Sequence, residues 1–311
     1  MKNRQVCGWS NREKGAFRFA RQASFPGRHS HCVAERRTSN VVQRKFAGEG
    51  EICYVAFMVK TASHTGRDAS VAPQAFVLVH GAWHGGWCWC RVAEALRAAG
   101  HVVFTPTLTG LGERAHLLQP GLTIEHFATD VAKVIETEEL QRVVLVGHSF
   151  AGGPISVVAD RKPEALKRLI YLDALLLENG QSGFSKLDPV IVAQRLKLAQ
   201  ESSEGLTIPP PPPAAFGVTE THDAAWLRRR LTPQPLNSYQ EPIRLNHPLG
   251  NGVKKTYIAC TDPAYGPLVP THQWAKRQNG WQYLEFASGH DAMVIRPEAL
   301  TEVLVDCASE L

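Results

Sequence analysis

The feature that most constrains how this chain folds is the stretch VVLVGHSFAGG at residues 143–153. Its apolar start predicts a buried strand, and the ISVVADR pattern shortly after it predicts a helix. A serine held in so tight a strand-to-helix turn exposes its side chain, which is the geometry of a nucleophile elbow. Ala151 stands where the G-x-S-x-G pattern has its second glycine. The alternative role for Ser149 is an ordinary helix N-cap.

Strand-like and helix-like stretches alternate along the chain from Ala75 onward. Alternation of this kind predicts an α/β fold, a mostly parallel sheet with helices on both faces. The predicted strands are residues 75–81, 101–110, 142–149, 166–174, 254–262 and 281–289, and the predicted helices include residues 90–100, a stretch capped by Thr123, and residues 297–311.

A long segment at about residues 178–250 interrupts the alternation. It contains five consecutive prolines at 209–213, which favour a stiff, extended piece of chain. Insertions of this length are usually functional or disordered, so we interpret it as a lid over the strand ends. The alternative is a flexible loop with no part in substrate choice. The predicted organisation is therefore an extension at residues 1–72 and one domain at residues 73–311.

The net charge of +5 comes from the beginning of the chain. Residues 1–57 hold 11 Lys and Arg against 4 Asp and Glu, whereas the remaining residues hold 23 against 25. We interpret this segment as a solvated extension, because no nucleic-acid-binding motif accompanies it. The first 34 residues loosely resemble a transit peptide, and an alternative is that Met58 is the true start.

Hydropathy and cysteine content indicate the cellular environment in which the protein works. No apolar run approaches the roughly 18 residues of a membrane span. The seven cysteines are odd in number and show no disulfide spacing, which is typical of reduced thiols. We therefore expect a cytoplasmic protein.

A serine nucleophile needs a base and an orienting acid. His290, in the stretch SGHDAM, follows the last predicted strand and precedes the last predicted helix, which makes it the candidate base. Asp262 ends the predicted strand 254–262 and is the favoured acid. Asp173 ends the strand 166–174 and is the alternative.

The glycine-rich turn VHGAWHGGW predicts an oxyanion hole, which requires two backbone N–H groups aimed at one point. We expect these from Ala82 and from Phe150, the residue after the nucleophile. A competing interpretation takes four side chains of this region as metal ligands. The glycines and the lack of a C-x-x-C element argue against it, so we expect neither metal nor cofactor. The four side chains are His80, His84, Cys88 and Cys90.

With HGAWHGGWCW, GHSFAGG, YIACTD and SGHDAM in this order, residues 75–311 resemble the α/β-hydrolase family. More narrowly, they resemble the branch that holds plant methylesterases, α-hydroxynitrile lyases and bacterial esterases. The lyases carry threonine at the position of Gly81 and lysine at the position of Asp291, so these two residues favour ester hydrolysis. The resembling esterases place their acid at the position of Pro263, which puts Asp262 in doubt; some family members use the position of Asp173.

The resemblance implies a carboxylesterase that cleaves small to medium esters through an acyl-enzyme. We expect Gly81, Trp83 and His148 to line the substrate pocket. Two alternatives remain, a small-molecule receptor of the same fold and a carbon–carbon lyase. The expected partner is a small ester, with no nucleic acid and no membrane span, and the sequence leaves the oligomeric state open.

Overall fold

A computed structural model describes residues 72–309, and every structural statement below refers to that part of the chain. The extension predicted for residues 1–72 lies, apart from Ala72, outside the described residues. None of the described helices combines the length and apolar content that crossing a bilayer requires.

A six-stranded parallel sheet forms the centre of the structure. The strands are β1 (Ala75–Val79), β2 (Val102–Phe104), β3 (Val143–His148), β4 (Leu166–Leu172), β5 (Thr207–Ile208), β6 (Gln234–Pro235), β7 (Lys254–Cys260) and β8 (Trp281–Phe286). The sheet has the order β2-β1-β3-β4-β7-β8, and β5 and β6 form a separate antiparallel pair. The strands of the large sheet are short and rich in valine, leucine and isoleucine, as expected for a sheet covered on both faces. The predicted α/β-hydrolase fold is confirmed.

Helices pack in pairs beside this sheet. The helices are α1 (Cys90–Ala98), α2 (Ile124–Thr137), α3 (Gly152–Arg161), α4 (Pro189–Ser203), α5 (Thr221–Arg228), α6 (Asn237–Gln240), α7 (Val269–Lys276), α8 (Ala292–Ile295) and α9 (Pro297–Ser309). Helix α1 packs against α9, and α2 packs against α3. Helix α2 shows why such segments are helical. Its buried Phe127, Val131 and Ile135 recur at helical spacing, and the Thr123 N–H at its start donates to Nδ1 of His126 at 3.2 Å.

Sheet order determines where the functional turns meet. Strands β1, β3 and β4 are neighbours in the sheet, and Leu172 of β4 lies level with His148 of β3 and Ile258 of β7. Because the strands are parallel, the loops after them leave from one edge. That edge is where open α/β sheets bind ligands.

The predicted insertion at residues 178–250 is largely structured. It contains α4, α5, α6 and the β5–β6 pair, and short 3₁₀ turns link them. Asp188 caps α4 by accepting a hydrogen bond from the Val190 N–H at 2.8 Å. The segment therefore folds as part of the domain, and its opening as a lid stays a prediction.

Close packing at the start of α3 generates a stability prediction. A Cβ on Gly152 would lie 2.0 Å from the Leu175 carbonyl oxygen, and the Leu175 N–H is held by the Ser149 carbonyl at 2.8 Å. This hydrogen bond fixes the backbone of Leu175, so its carbonyl oxygen cannot easily move aside. Gly152→Ala should therefore lower the free energy of unfolding by about 2 kcal/mol or more. That corresponds to a fall of about 6 °C in Tm, measured by circular dichroism.

Gly266→Ala is the matched control, because no atom lies within 4 Å of a Cβ built there. It should change the free energy of unfolding by no more than about 0.5 kcal/mol. Equal melting temperatures for the two variants would contradict the packing described for Gly152.

Candidate active site

Ser149 lies in the turn between β3 and α3, with a φ of 56°. A left-handed backbone is costly for a residue with a side chain and recurs at functional sites. The crowding around this turn explains its small residues, since a Cβ on Gly147 would lie 3.0 Å from the Ala151 carbonyl oxygen. The serine side chain is half-buried, and its Oγ lies 2.9 Å from Nε2 of His290. The nucleophile-elbow geometry predicted from the sequence is present.

His290 is held on every side in the loop after β8. Its Nδ1–H donates to Oδ2 of Asp173 at 2.6 Å, which leaves Nε2 as the acceptor facing the Ser149 hydroxyl. The ring stacks on Tyr265, with the ring centroids 4.2 Å apart, and Phe216 lies at 6.0 Å. Only 2% of the residue is exposed. The imidazole is therefore fixed in orientation and in tautomer.

The carboxylate that meets His290 is Asp173 rather than Asp262, so the geometry favours the alternative acid over the preferred one. Asp173 follows β4 directly and is completely buried. Asp262 lies two residues beyond the end of β7 with an exposed side chain, and its N–H donates to the Ser288 carbonyl at 3.0 Å. Among residues 72–309, no hydrogen bond joins Asp262 to His290. Strand β7 carries Asp262 past the level at which Asp173 meets the histidine.

Three donors satisfy the Asp173 carboxylate. Oδ2 accepts from His290, while Oδ1 accepts from Nε2 of His272 at 2.5 Å and from the Cys260 N–H at 3.1 Å. Burial acts to raise the pKa of Asp173, but the hydrogen bonds from the two histidines outweigh it and lower the pKa to about 2. The side chain is therefore ionised across the neutral range. Sequence reasoning missed His272, because no motif marks this position in α7.

The turn after β1 lies directly against the serine. A Cβ on Gly81 would come within 2.8 Å of the Ser149 Cβ, so only glycine fits there without movement. Trp83 has a φ of 66°, and its N–H donates to Oε1 of Gln234 at 3.0 Å. The structure thus brings the turn that contains Ala82 against Ser149.

His84 and Asp291 form a buried ion pair that links the oxyanion turn to the His290 loop. Nδ1 of His84 donates to the Ala82 carbonyl at 2.7 Å, and Nε2 donates to Oδ2 of Asp291 at 3.1 Å. Burial acts to lower the pKa of His84, but the Asp291 carboxylate raises it above the ordinary value. Burial acts to raise the pKa of Asp291, and His84 lowers it. Because both ring nitrogens meet acceptors, His84 is a buried imidazolium.

The two other buried histidines around the turn are neutral. Burial lowers the pKa of His80 and of His148 to about 3. Nε2 of His148 donates to the His290 carbonyl at 3.0 Å, and the two rings lie 4.5 Å apart. His148 therefore supports the His290 loop, in addition to the pocket role predicted for it.

Residues of the 178–250 segment cover this edge of the sheet with aromatic rings. Phe216 and Tyr239 both pack on Trp83, at ring-centroid distances of 5.8 Å and 6.5 Å, and Tyr239 also packs on Phe150. The Arg195 guanidinium of α4 lies 5.2 Å from the Trp83 ring and 4.9 Å from the Tyr239 ring. Its Nη1 is buried without a hydrogen-bond partner. The surroundings of Ser149 are thus apolar, with one permanent cation among the aromatic rings.

Metal ligation competes poorly with the contacts already present. His148, His290 and Asp291 each offer an atom within 4.8 Å of the others. Both nitrogens of His290 are engaged, however, by Ser149 and Asp173. His80 is one of the four metal-ligand candidates considered from the sequence. Both of its ring nitrogens are likewise hydrogen-bonded, to the Gly81 carbonyl and to the Leu108 N–H. The donor set favours proton transfer over metal binding.

The fold and these contacts are those of a hydrolase, and comparison with known proteins agrees. The chain belongs to the α/β-hydrolase family, whose profile matches residues 76–303. It is 42% identical over 240 residues to a carbendazim hydrolyzing esterase of Nocardioides sp. (strain SG-4G), covering 74% of this chain and 97% of that protein. The predicted family, and with it a carboxylesterase-type hydrolase, is confirmed.

More distant similarities point to the same branch. The chain is 25% identical to putative methylesterase 14, chloroplastic, of Arabidopsis thaliana, over 77% of this chain and 73% of that protein. Among solved structures, it resembles an extracellular α/β-hydrolase from a Paenibacillus species, described as sharing structural and functional homology with tobacco salicylic acid binding protein 2. The TM-score is 0.67 at 26% identity, covering 75% of this chain and 98% of that one.

The His84–Asp291 pair generates a pH prediction. The folded-state pKa of His84 lies above its ordinary value, so the stabilisation from the pair is complete below pH 6.5 and is lost as the pH rises through that raised pKa. The lowered pKa of Asp291 keeps its carboxylate charged throughout this window. Asp291→Asn should therefore lower Tm by about 10 °C at pH 6, and by clearly less at pH 9.

Asp130→Asn is the control, because Asp130 pairs with Arg114 at 3.1 Å and a guanidinium does not titrate in this range. Its loss in Tm should be the same at both pH values. A loss for Asp291→Asn that does not depend on pH would show that His84 is not charged in the folded protein.

Proposed function

We propose that this protein is a serine esterase in which Ser149 is the nucleophile, His290 the general base and Asp173 the orienting acid. The observation that carries the proposal is the continuous hydrogen-bonded chain from the Ser149 hydroxyl through both nitrogens of His290 to Asp173. This arrangement is what nucleophilic acyl transfer requires. The similar proteins named as esterases support the choice of ester over other acyl substrates.

The reaction begins when Ser149 Oγ attacks the ester carbonyl carbon and Nε2 of His290 takes its proton. The tetrahedral intermediate collapses, and the alcohol leaves with the proton returned by His290. Water then attacks the acyl-enzyme by the same route and releases the acid. Because Asp173 is ionised and its Oδ2 meets Nδ1–H of His290, it stabilises the imidazolium formed in each half.

The backbone N–H groups of Ala82 and Phe150 are proposed to hold the oxyanion. The close approach of Gly81 to Ser149 supports this assignment for Ala82, the next residue in the turn. The Trp83 N–H is bonded to Gln234 and is therefore not available for this task. Each oxyanion donor is typically worth about 3 kcal/mol of transition-state stabilisation. The buried His84–Asp291 pair keeps the turn in place through the Ala82 carbonyl.

The substrate proposed is a small to medium carboxylic ester. The close approach of Gly81 to Ser149 and of the His148 ring to the His290 ring supports both as pocket residues, and the buried Trp83 follows Gly81 in the same turn. Phe216 and Tyr239 add aromatic surface from the 178–250 segment, which we propose acts as a lid. An apolar, largely closed site of this kind favours short acyl groups and planar rings. The cytoplasmic location expected from the cysteines stays a prediction.

The carbon–carbon lyase alternative is disfavoured by the surroundings of the two diagnostic residues. A threonine side chain at position 81 would meet Ser149, and Asp291 is engaged in an ion pair where the resembling lyases carry lysine. The receptor alternative differs in predicting binding without turnover. Turnover requires the ordered base and acid and binding alone does not, which favours the enzyme, although some receptors of this fold keep these residues.

Two variants test the nucleophile and the acid on 4-nitrophenyl acetate. Ser149→Ala should abolish turnover, and Asp173→Asn should lower kcat by about 10⁴-fold, because the amide favours the wrong tautomer of His290. Asp262→Asn is the matched control at the neighbouring strand end and should keep kcat within about twofold. Full activity in Ser149→Ala, or a larger loss in Asp262→Asn than in Asp173→Asn, would refute the assignment.

A panel of esters tests the substrate class. Because the site is largely closed, 4-nitrophenyl acetate and butyrate should be hydrolysed with kcat/KM at least about tenfold above that for the octanoate. Carbendazim, the compound named in the Nocardioides relative, should be hydrolysed by the wild type and not by Ser149→Ala. Equal kcat/KM values for acetate, butyrate and octanoate esters would contradict a closed site. Failure to release product from carbendazim would exclude carbendazim as a substrate shared with the Nocardioides relative.

A further inference from the structure

His272 makes a contact that the proposed mechanism does not use. It lies in α7 and is 7% exposed, with Nε2 donating to Oδ1 of Asp173 at 2.5 Å. Its ring meets the edge of the buried Tyr257 ring at a centroid distance of 5.8 Å. The Tyr257 hydroxyl in turn donates to the carbonyl of Ala174, the residue after Asp173. His272 is thus packed in one geometry against the acid.

We propose that His272 is a positioning residue for ester hydrolysis, which fixes the Asp173 carboxylate so that its second oxygen faces His290. This inference rests on the proposed function. It extends the hydrogen-bonded chain to four side chains in the order His272, Asp173, His290 and Ser149, with Asp173 between two imidazoles. Among the described residues, the hydrogen bond of the His272 side chain goes to Asp173 and none joins it to Ser149, so it acts through Asp173.

The geometry at Asp173 explains why such a partner is needed. The residue has a φ of 42° just past the end of β4, and its N–H is held by the Ile258 carbonyl at 2.7 Å. The carboxylate can still rotate about its terminal torsion, which has broad minima. His272 and the Cys260 N–H both donate to Oδ1, which leaves Oδ2 for His290. Rotation would break these bonds inside a buried site, where unmade bonds are costly.

The segment after β7 separates the two carboxyl candidates and delivers His272. It leaves Asp262 exposed and continues into α7, where His272 donates to Asp173. The donors behind His290 therefore come from α7 and from the end of β7, and they converge on the carboxylate that follows β4.

The test compares His272→Gln with His272→Leu. The amide nitrogen of glutamine replaces Nε2 as a donor, whereas leucine fills similar space without one. His272→Leu should lower kcat on 4-nitrophenyl acetate by roughly 100-fold with KM within about twofold, because misplacement of an orienting group acts on the chemical step. His272→Gln should recover at least about tenfold of that loss. Wild-type kcat in His272→Leu, or no recovery in a folded His272→Gln, would overturn the proposal.

A double-mutant cycle with Asp173→Asn separates positioning from general stability. If His272 acts through Asp173, then His272→Leu should have little further effect on kcat in the Asp173→Asn background. A drop of the same size in both backgrounds would show an independent structural role. Melting temperatures of all four proteins verify that each is folded under assay conditions.

Proton NMR distinguishes failure of this inference from failure of the proposed function. Short histidine–carboxylate hydrogen bonds give far-downfield N–H resonances, and two are expected here, from His272 and His290. His272→Gln should remove one and shift the other, whatever the substrate is. If wild type hydrolyses no ester but shows both resonances, the proposed function fails and the contact stands. If only the His290 resonance is present in an active enzyme, the positioning proposal fails alone.

Discussion

The site depends on one completely buried carboxylate. Asp173 has no solvent to stabilise its charge, so the charge persists only because three donors surround it. Those donors come from β7, α7 and the loop after β8, which are distant in sequence. Satisfying this single charge therefore brings three elements to the end of β4 and sets the tautomer of His290.

A second buried charge pair connects the remaining parts of the site. Asp291, next to His290, binds His84, and His84 binds the Ala82 carbonyl in the turn after β1. The loop that carries His290 and the turn that carries the proposed oxyanion donor are thus held together by one histidine, His84. Its neighbour His148 is neutral and donates to the His290 carbonyl. The two pKa values differ because the Asp291 contact at 3.1 Å outweighs burial at His84, whereas burial dominates at His148.

Local sequence patterns predicted those features of the structure that are set by residues close together in the sequence. The strand, glycine and small residues around Ser149 predicted the tight turn because crowding there is a local property. The position of His290 after the last strand followed from the order of elements. The choice between Asp262 and Asp173 could not be made in this way, since both end a strand of the same sheet. His272 and Arg195 carry no motif, and only their contacts reveal them.

The sequence by itself determined the alternation of strands and helices, the tight turn around Ser149 and the place of His290 after the last strand, because short-range periodicity and steric crowding decide these. The tertiary structure alone decided which carboxylate serves His290. The register of β4 against β7 puts Asp173 level with the site and carries Asp262 beyond it, into solvent. Strand register depends on pairing between segments far apart in the chain, and no local pattern encodes the relative height of two strand ends.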